Sequence, residues 1–282
     1  MCLLIALFQQ IADAPLIIAA NRDERLDRPA VAMTVLRPSG PRILGGRDEL
    51  AGGTWLAVNE YGVVAGLTNQ PSADGRDAGK RSRGELPLAF AGHKTAAEAV
   101  AAVTARLNPA EYNPCWMLIG DRQALFSVGL AGGQAADVEE LAPGLHILEN
   151  APLRAPSAKA DFVRGLIGAE RAAEPGPDSS AGAPGVVPLA STATVAALER
   201  VLSSNQPAVP EPRTDDQGRT WPPEISAPCV HTPEYGTRSA MTVVVPASGR
   251  PHVRVADGPP CECPFLDVSG LWTERGSAEM AG

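Results

Sequence analysis

At 282 residues with 44% apolar side chains, the chain is long enough for one large domain with a full buried core. Its 32 acidic against 24 basic residues give a formal net charge of -8, which offers no basic footprint for nucleic-acid backbones or anionic lipid. No run of about 18 apolar residues occurs, so no membrane span is expected; 28 glycines and 27 prolines without a collagen-like period predict many turns rather than a fibrous or repeat architecture.

The opening Met1-Cys2-Leu3-Leu4-Ile5-Ala6-Leu7-Phe8 lacks the basic leader of a secretory signal and runs at once into Gln9-Gln10, so it reads as a buried strand. With Leu16 to Ala20 it forms a hairpin around Asp13-Ala14-Pro15. A second hairpin pairs Thr54 to Val58 with Val63 to Thr68 around Asn59-Glu60-Tyr61-Gly62. Glu85 to Leu107 follows as an Ala- and Leu-rich helix with an apolar stripe. Cys115 to Ile119 and Ala124 to Val128 make a third hairpin around Gly120-Asp121. Helices are expected at Ser157 to Ala172 and Ser191 to Leu202, each opened by a capping-type serine. Glu174 to Pro188, between them, is a Pro/Gly-rich insert, and Gln206 to Pro228, with six prolines, is another. Met241 to Val245 and His252 to Val255 close the series as a fourth hairpin, before an irregular tail from Gly258. Hairpins alternating with helices predict helices packed on antiparallel sheets within a single domain, 1–282.

The five cysteines are odd in number and irregularly spaced, which argues for reduced, cytoplasmic thiols rather than a disulfide framework. Cys261 and Cys263 form a C-x-C with no partner pair and read as residues of the tail. The four histidines lack any ligand spacing: His93 falls in a helix, His146 and His231 lead into strands, and His252 begins one. No metal and no organic cofactor are expected.

Cys2 is the most informative residue. Removal of Met1 would leave a cysteine whose thiol, reference pKa about 8.5, and α-amine, about 7.7–8.0, belong to one residue, so nucleophile and base come together. Position alone favours a small buried thiol at the start of a strand. Context adds weight to the first reading. Asn21-Arg22-Asp23-Glu24 follows the second strand, where antiparallel pairing returns the chain to the first strand's start, and Asp23 there can hold the α-ammonium. Asn69 and Asn150 end apolar strands and offer uncharged N–H donors to an oxyanion. Arg238, before the last hairpin, can place a fixed cation near a thiolate or a substrate carboxylate. Gly45-Gly46-Arg47-Asp48 and Ala51-Gly52-Gly53-Thr54-Trp55 match no phosphate loop; they read as tight turns bringing Arg47, Asp48 and Trp55 to a cleft, with Trp55 equally at home in the core.

Met1-Cys2, Asn21-Arg22-Asp23-Glu24, Gly45-Gly46-Arg47-Asp48, Ala51-Gly52-Gly53-Thr54-Trp55, Leu67-Thr68-Asn69, Ser82-Arg83-Gly84 and Tyr235-Gly236-Thr237-Arg238-Ser239 together resemble the NRDE-motif family. This is also called the transport-and-Golgi-organisation type 2 family, within the N-terminal nucleophile (Ntn) hydrolase superfamily. The resemblance implies an α+β four-layer αββα sandwich of two stacked antiparallel sheets between helix layers. More distantly the chain is similar to choloylglycine hydrolases and acid ceramidase-like amidases, which implies Cys2 as nucleophile, Asp23 for the amine, Asn69 and Asn150 for the oxyanion and Arg238 near the thiol. Arg22, Arg47, Trp55, Arg83 and Tyr235 are the expected substrate contacts. Two departures concern the pocket wall: Glu149-Asn150 stands where the family reads Ser-Asn, and Ala155-Pro156-Ser157-Ala158-Lys159 replaces an aromatic-Pro-Lys segment. The function these readings imply is an amidohydrolase or acyltransferase acting on a small amide or acyl substrate through a Cys2 thioester. The rival is a non-catalytic carrier, for haem or acyl lipid, using the same cleft.

Overall fold

The computed structural model describes residues 2–70, 75–131, 135–173, 190–214, 218 and 220–273; Met1 and the expected insert 174–188 lie outside them. The chain runs β1 (Leu3–Ile11), β2 (Ala14–Arg25), β3 (Ala30–Arg37), β4 (Ile43–Asp48), β5 (Leu56–Asn59), β6 (Val64–Asn69), α1 (Glu85–Phe90) and α2 (Ala96–Thr104). It continues through β7 (Cys115–Gly120), β8 (Leu125–Leu130), β9 (Asp137–Glu140), β10 (Gly144–Leu148), α3 (Ala158–Ala173) and α4 (Ala190–Leu202). Then come β11 (Arg213–Thr214), β12 (Thr220–Trp221), β13 (Tyr235–Val245), β14 (His252–Ala256) and β15 (Leu266–Asp267). One sheet has the order β10-β1-β2-β13-β14-β15 and the other β3-β4-β5-β6-β7-β8-β9, while β11 and β12 form a separate ribbon. All four expected hairpins pair antiparallel.

The period-2 alternation of the strands builds the layers. From β1, Leu4, Ala6 and Phe8 meet Leu44, Leu56 and Leu118 of the second sheet. Its alternate residues Leu3, Ile5 and Leu7 face Val163 and Ile167 of α3 and Leu198 and Val201 of α4. On the far side Leu67, Met117 and Ile119 pack on Leu86 and Phe90 of α1 and Val100 of α2. The architecture is therefore the expected αββα sandwich, and burial of both faces explains why β1 reads as an unbroken apolar run.

Three local expectations need correction. Glu85 to Leu107 is two helices, not one, and His93 lies in the turn between them. Asn59 Nδ2 donates to the carbonyls of Ala91 and His93 at 2.8 and 2.6 Å, pinning the break, and Thr95 restarts the helix by accepting from Glu98 N–H at 3.2 Å. Gly45-Gly46-Arg47-Asp48 is strand β4 rather than a tight turn. A Cβ on Gly46 would sit 2.0 Å from the Trp55 ring, so the glycine lets that ring lie against the strand. The tail beyond Gly258 carries β15 and buries Trp272, which is 5% exposed and donates from Nε1 to Pro251 O at 2.8 Å. Within 206–228, Ile225 and Ala227 are likewise buried.

Gly53 and Gly84 bring two distant motifs into backbone contact. A Cβ on Gly84 would stand 2.9 Å from Gly53 Cα and Thr54 N, and Thr54 N–H donates to Gly84 O at 3.0 Å. Backbone cannot yield as a side-chain tip can, so Gly84→Ala should cost about 1–3 kcal/mol. Gly165, in α3 with open space around it, gives the opposite sign: Gly165→Ala should gain about 0.5–1 kcal/mol. Urea unfolding midpoints of the two variants check both.

Candidate active site

Leu3 pairs with Asn21 across the β1–β2 ladder, so Cys2 falls opposite Arg22, on the same inter-sheet face as Leu4 and Ala6. The Asn21 to Glu24 stretch consequently divides by parity. Asn21 and Asp23 look toward the α3/α4 layer. Asn21 Nδ2 donates to the carbonyls of Leu202 and Pro228, both at 2.9 Å, tying the end of α4 to the strand. Asp23 Oδ1 accepts from Thr237 Oγ1 of β13 at 2.7 Å, and Oδ2 lies 3.7 Å from Lys159 Nζ, from the first turn of α3. Both members of this ion pair are buried, with side-chain exposures of 4% for Lys159 and 0% for Asp23.

Arg22 and Glu24 look the other way. Arg22 places its guanidinium 4.4 Å over the Trp55 ring and Nη2 3.4 Å from Asp48 Oδ2. Arg28 Nε lies 2.6 Å from the same oxygen and 3.7 Å from Glu24 Oε2. Burial alone would raise the Asp48 carboxyl; the Arg28 hydrogen bond, the Ala51 amide and the Arg22 charge outweigh it and hold Asp48 below its ordinary value. Burial also lowers the Arg22 guanidinium.

These elements enclose a cleft of about 230 Å³ with Cys2, Arg22, Asp23, Trp55, Asn69 and Arg83 in its wall. Cys2 Sγ lies 3.9 Å from the backbone oxygen of Asp23. Burial pushes the Cys2 thiol up, the Asp23 charge adds to that rise, and Arg22 opposes it. Arg83, whose guanidinium burial lowers, donates to Pro114 O at 3.0 Å and has no carboxylate partner among the described residues. Cys115, opposite Asn69 in the β6–β7 ladder, is buried and pushed up to about 12, as a structural thiol would be.

Asn69, the last residue of β6, and Asn150, just past the end of β10 in the other sheet, meet. Thr68 Oγ1 donates to Glu149 O at 2.7 Å, and Asn150 Nδ2 donates to Asn69 O. Both line a recess of about 200 Å³ that Arg83 shares with the cleft.

Of the remaining expected site residues, Arg47 is exposed and pairs with Glu49 Oε1 at 3.5 Å, outside the cleft. Tyr235 supports the site from behind, its hydroxyl donating to Asp23 O at 2.8 Å. Arg238 is the extra residue of a bulge between Thr237 and Ser239 and is not among the residues of the cleft wall, where Arg22 and Arg83 both interact electrostatically with Cys2. Lys159 and Thr237 were not singled out from the sequence. For Lys159 a signal existed: it shares the helical stripe of Ala160, Val163 and Ile167, where a charge demands a buried partner.

The family model described as "Transport and Golgi organisation 2" matches residues 1–257. The Transport and Golgi organization protein 2 homolog of Bos taurus is 34% identical over 251 residues, and that of Homo sapiens 31% over 249, each alignment covering 83% of both chains. Among solved structures, penicillin V acylase from Agrobacterium tumefaciens has a TM-score of 0.49 at 13% identity, covering 91% of this chain and 83% of that one. The N-acylethanolamine-hydrolyzing acid amidase ortholog of Caenorhabditis elegans has a TM-score of 0.47 at 12% identity, covering 86% and 92%. By the match over nearly its whole length, the chain belongs to the Transport and Golgi organisation 2 family.

Proposed function

We propose that the protein is an N-terminal cysteine nucleophile enzyme, an amidohydrolase or acyltransferase that works through a thioester on Cys2. The observation that carries this reading is the placement of Cys2 in the cleft beside Asp23, a carboxylate buried between Thr237 and Lys159. After loss of Met1, the Cys2 nitrogen becomes an amine at the strand end that Asp23 adjoins. Cys2 sulfur then attacks the substrate carbonyl carbon while the amine takes the thiol proton. Asn69, in the cleft wall with Cys2, and Asn150, which donates to Asn69 O from the adjoining recess, are the proposed oxyanion donors, each contributing about 3 kcal/mol. Collapse breaks the C–N bond, the amine returns its proton to the leaving nitrogen, and water or a second amine releases the acyl group from sulfur.

Lys159 has a definite part in this chemistry. Its ammonium, 3.7 Å from Asp23 Oδ2, partners the buried carboxylate and holds it in place for the amine. Arg83, without a carboxylate of its own among the described residues, suits an anionic group on the substrate. The carrier reading has weaker support: a cleft of about 230 Å³ walled by arginines and carboxylates suits neither haem nor an acyl lipid.

Two measurements test the proposal. Intact-protein mass spectrometry should find chains without Met1 that gain an acyl mass on Cys2 from a panel of amides, thioesters and esters, with carboxylate-bearing acyl groups favoured and that preference lost in Arg83→Gln. Retained Met1 with an unreactive Cys2 would overturn it. In Lys159→Met the buried Asp23 carboxylate loses its cation, so acylation of Cys2 should slow at least tenfold, while Lys159→Arg, which keeps the charge, retains most of the rate. An unchanged rate in the Met variant removes Lys159 from the mechanism.

A further inference from the structure

Behind Asp23, away from the cleft, three soft ligand atoms converge from segments far apart in sequence. Cys229 Sγ lies 3.4 Å from Cys261 Sγ and 3.5 Å from His231 Nε2, and His231 Nε2 lies 2.9 Å from Cys261 Sγ. We propose that Cys229, His231 and Cys261 form a zinc site with a fourth, solvent-facing position.

The triangle is near the size such an ion requires. Zinc bonds of about 2.3 Å to sulfur and about 2.0–2.1 Å to nitrogen, at tetrahedral angles, place two sulfurs roughly 3.8 Å apart and sulfur and nitrogen roughly 3.5 Å apart. One edge, at 3.5 Å, matches, while those of 3.4 and 2.9 Å fall short by about 0.4 and 0.6 Å, so an ion would seat by outward movement of the Cys261 side chain. Two thiolates and an imidazole are the donor set zinc favours, and alkaline-earth ions do not. The other imidazole nitrogen is accounted for as well: His231 Nδ1 lies 3.9 Å from Glu262 Oε1, the side on which a ligating histidine usually meets a carboxylate. Cys229 is buried while Cys261 is exposed, which leaves the open position on the solvent side.

Backbone contacts prearrange the ligands. Cys229 N–H donates to Ser204 O at 2.8 Å, His231 bridges to Gly236, and Pro260, next to Cys261, accepts from Ser203 Oγ at 2.9 Å. Cys263 takes no part. Its sulfur packs against Gly258, 2.4 Å from where a Cβ would stand, so the sequence pair Cys261-Glu262-Cys263 is not the ligand pair; Cys229-Val230-His231 supplies the partners instead. The ion would clamp the chain after 206–228 to the tail. Val230, between two ligands, exchanges hydrogen bonds with Thr237, the residue that holds Asp23 Oδ1. The clamp thereby steadies the carboxylate of the cleft without touching it.

The full chain, purified without a histidine tag under reducing conditions, should carry one zinc ion per molecule by elemental analysis. After chelation, cobalt(II) should restore thiolate-to-cobalt charge-transfer absorption with the intense visible bands of tetrahedral coordination. Cys261→Ser, at an exposed position, and His231→Ala should each weaken zinc retention at least tenfold in competition with a chromogenic chelator, while Cys263→Ser leaves it unchanged. Chelation should also lower the thermal midpoint of the wild type. The proposal is overturned by wild type that neither retains zinc nor shows cobalt–thiolate absorption, by loss of binding in Cys263→Ser equal to that in Cys261→Ser, or by a Cys229–Cys261 disulfide in the reduced preparation. None of these readouts depends on Cys2 acylation, so the site stands or falls apart from the proposed activity.

Discussion

The buried carboxylate of Asp23 organises the molecule. A charge removed from water at this depth costs several kcal/mol unless partners surround it. The chain supplies a hydroxyl from β13, Thr237, and an ammonium from α3, Lys159. Meeting that requirement fixes the β2–β13 register, in which Thr237 stands opposite Asp23, and fixes the roll of α3 so that its first turn looks into the sheet. Ser157 anchors this turn by accepting from Ala160 N–H at 3.0 Å, and also donates to the Glu149 carboxylate. The two departures from the family pattern, Glu149 and Ser157, therefore contact each other, and Lys159 arrives two residues later with its charge placed at Asp23.

Strand parity explains why the Asn21 to Glu24 stretch is so dense in polar groups. Both faces of β2 are covered, so the four residues need partners on two opposite sides of the strand. Asn21 reaches the end of α4, Asp23 reaches α3 and β13, and Arg22 with Glu24 engages the Asp48–Arg28 cluster from the second sheet. The four residues link all the layers around the cleft except the α1/α2 layer. Gly53 and Gly84 supply that connection through backbone contact, setting Arg83 in the wall.

Features that are local in sequence were legible there. The four hairpins each carry their turn and apolar runs within a single short stretch of chain, and the polar cluster after the second strand shows where a site should lie. What escaped is non-local. Strand β4 reads as a glycine turn because the reason for Gly46 is the Trp55 ring, which its own segment does not reveal. The break at His93 comes from Asn59, more than 30 residues earlier. Cys229, His231 and Cys261 have no recognisable ligand spacing because the fold, not the spacing, unites them. Arg47, Tyr235 and Arg238 occupy motif strings, yet a string does not determine which way a side chain turns: Arg47 faces Glu49, Tyr235 backs Asp23, and Arg238 rides a bulge.

The energetics of the Asp23–Lys159 pair bear on what the fold is for. Val163, Ile167 and Leu198 already give the surrounding layer an apolar character, and Lys159 lies on the same helical stripe. Replacing a buried ion pair by apolar residues of similar volume is often neutral or stabilising by about 1–4 kcal/mol, so folding alone does not call for this pair. Its placement at the strand end beside Cys2 is what the proposed mechanism calls for, a carboxylate held ready to orient the Cys2 amine. On that proposal, stability given up at one buried position is returned as a fixed, partnered carboxylate beside the nucleophile, held by the sandwich around it.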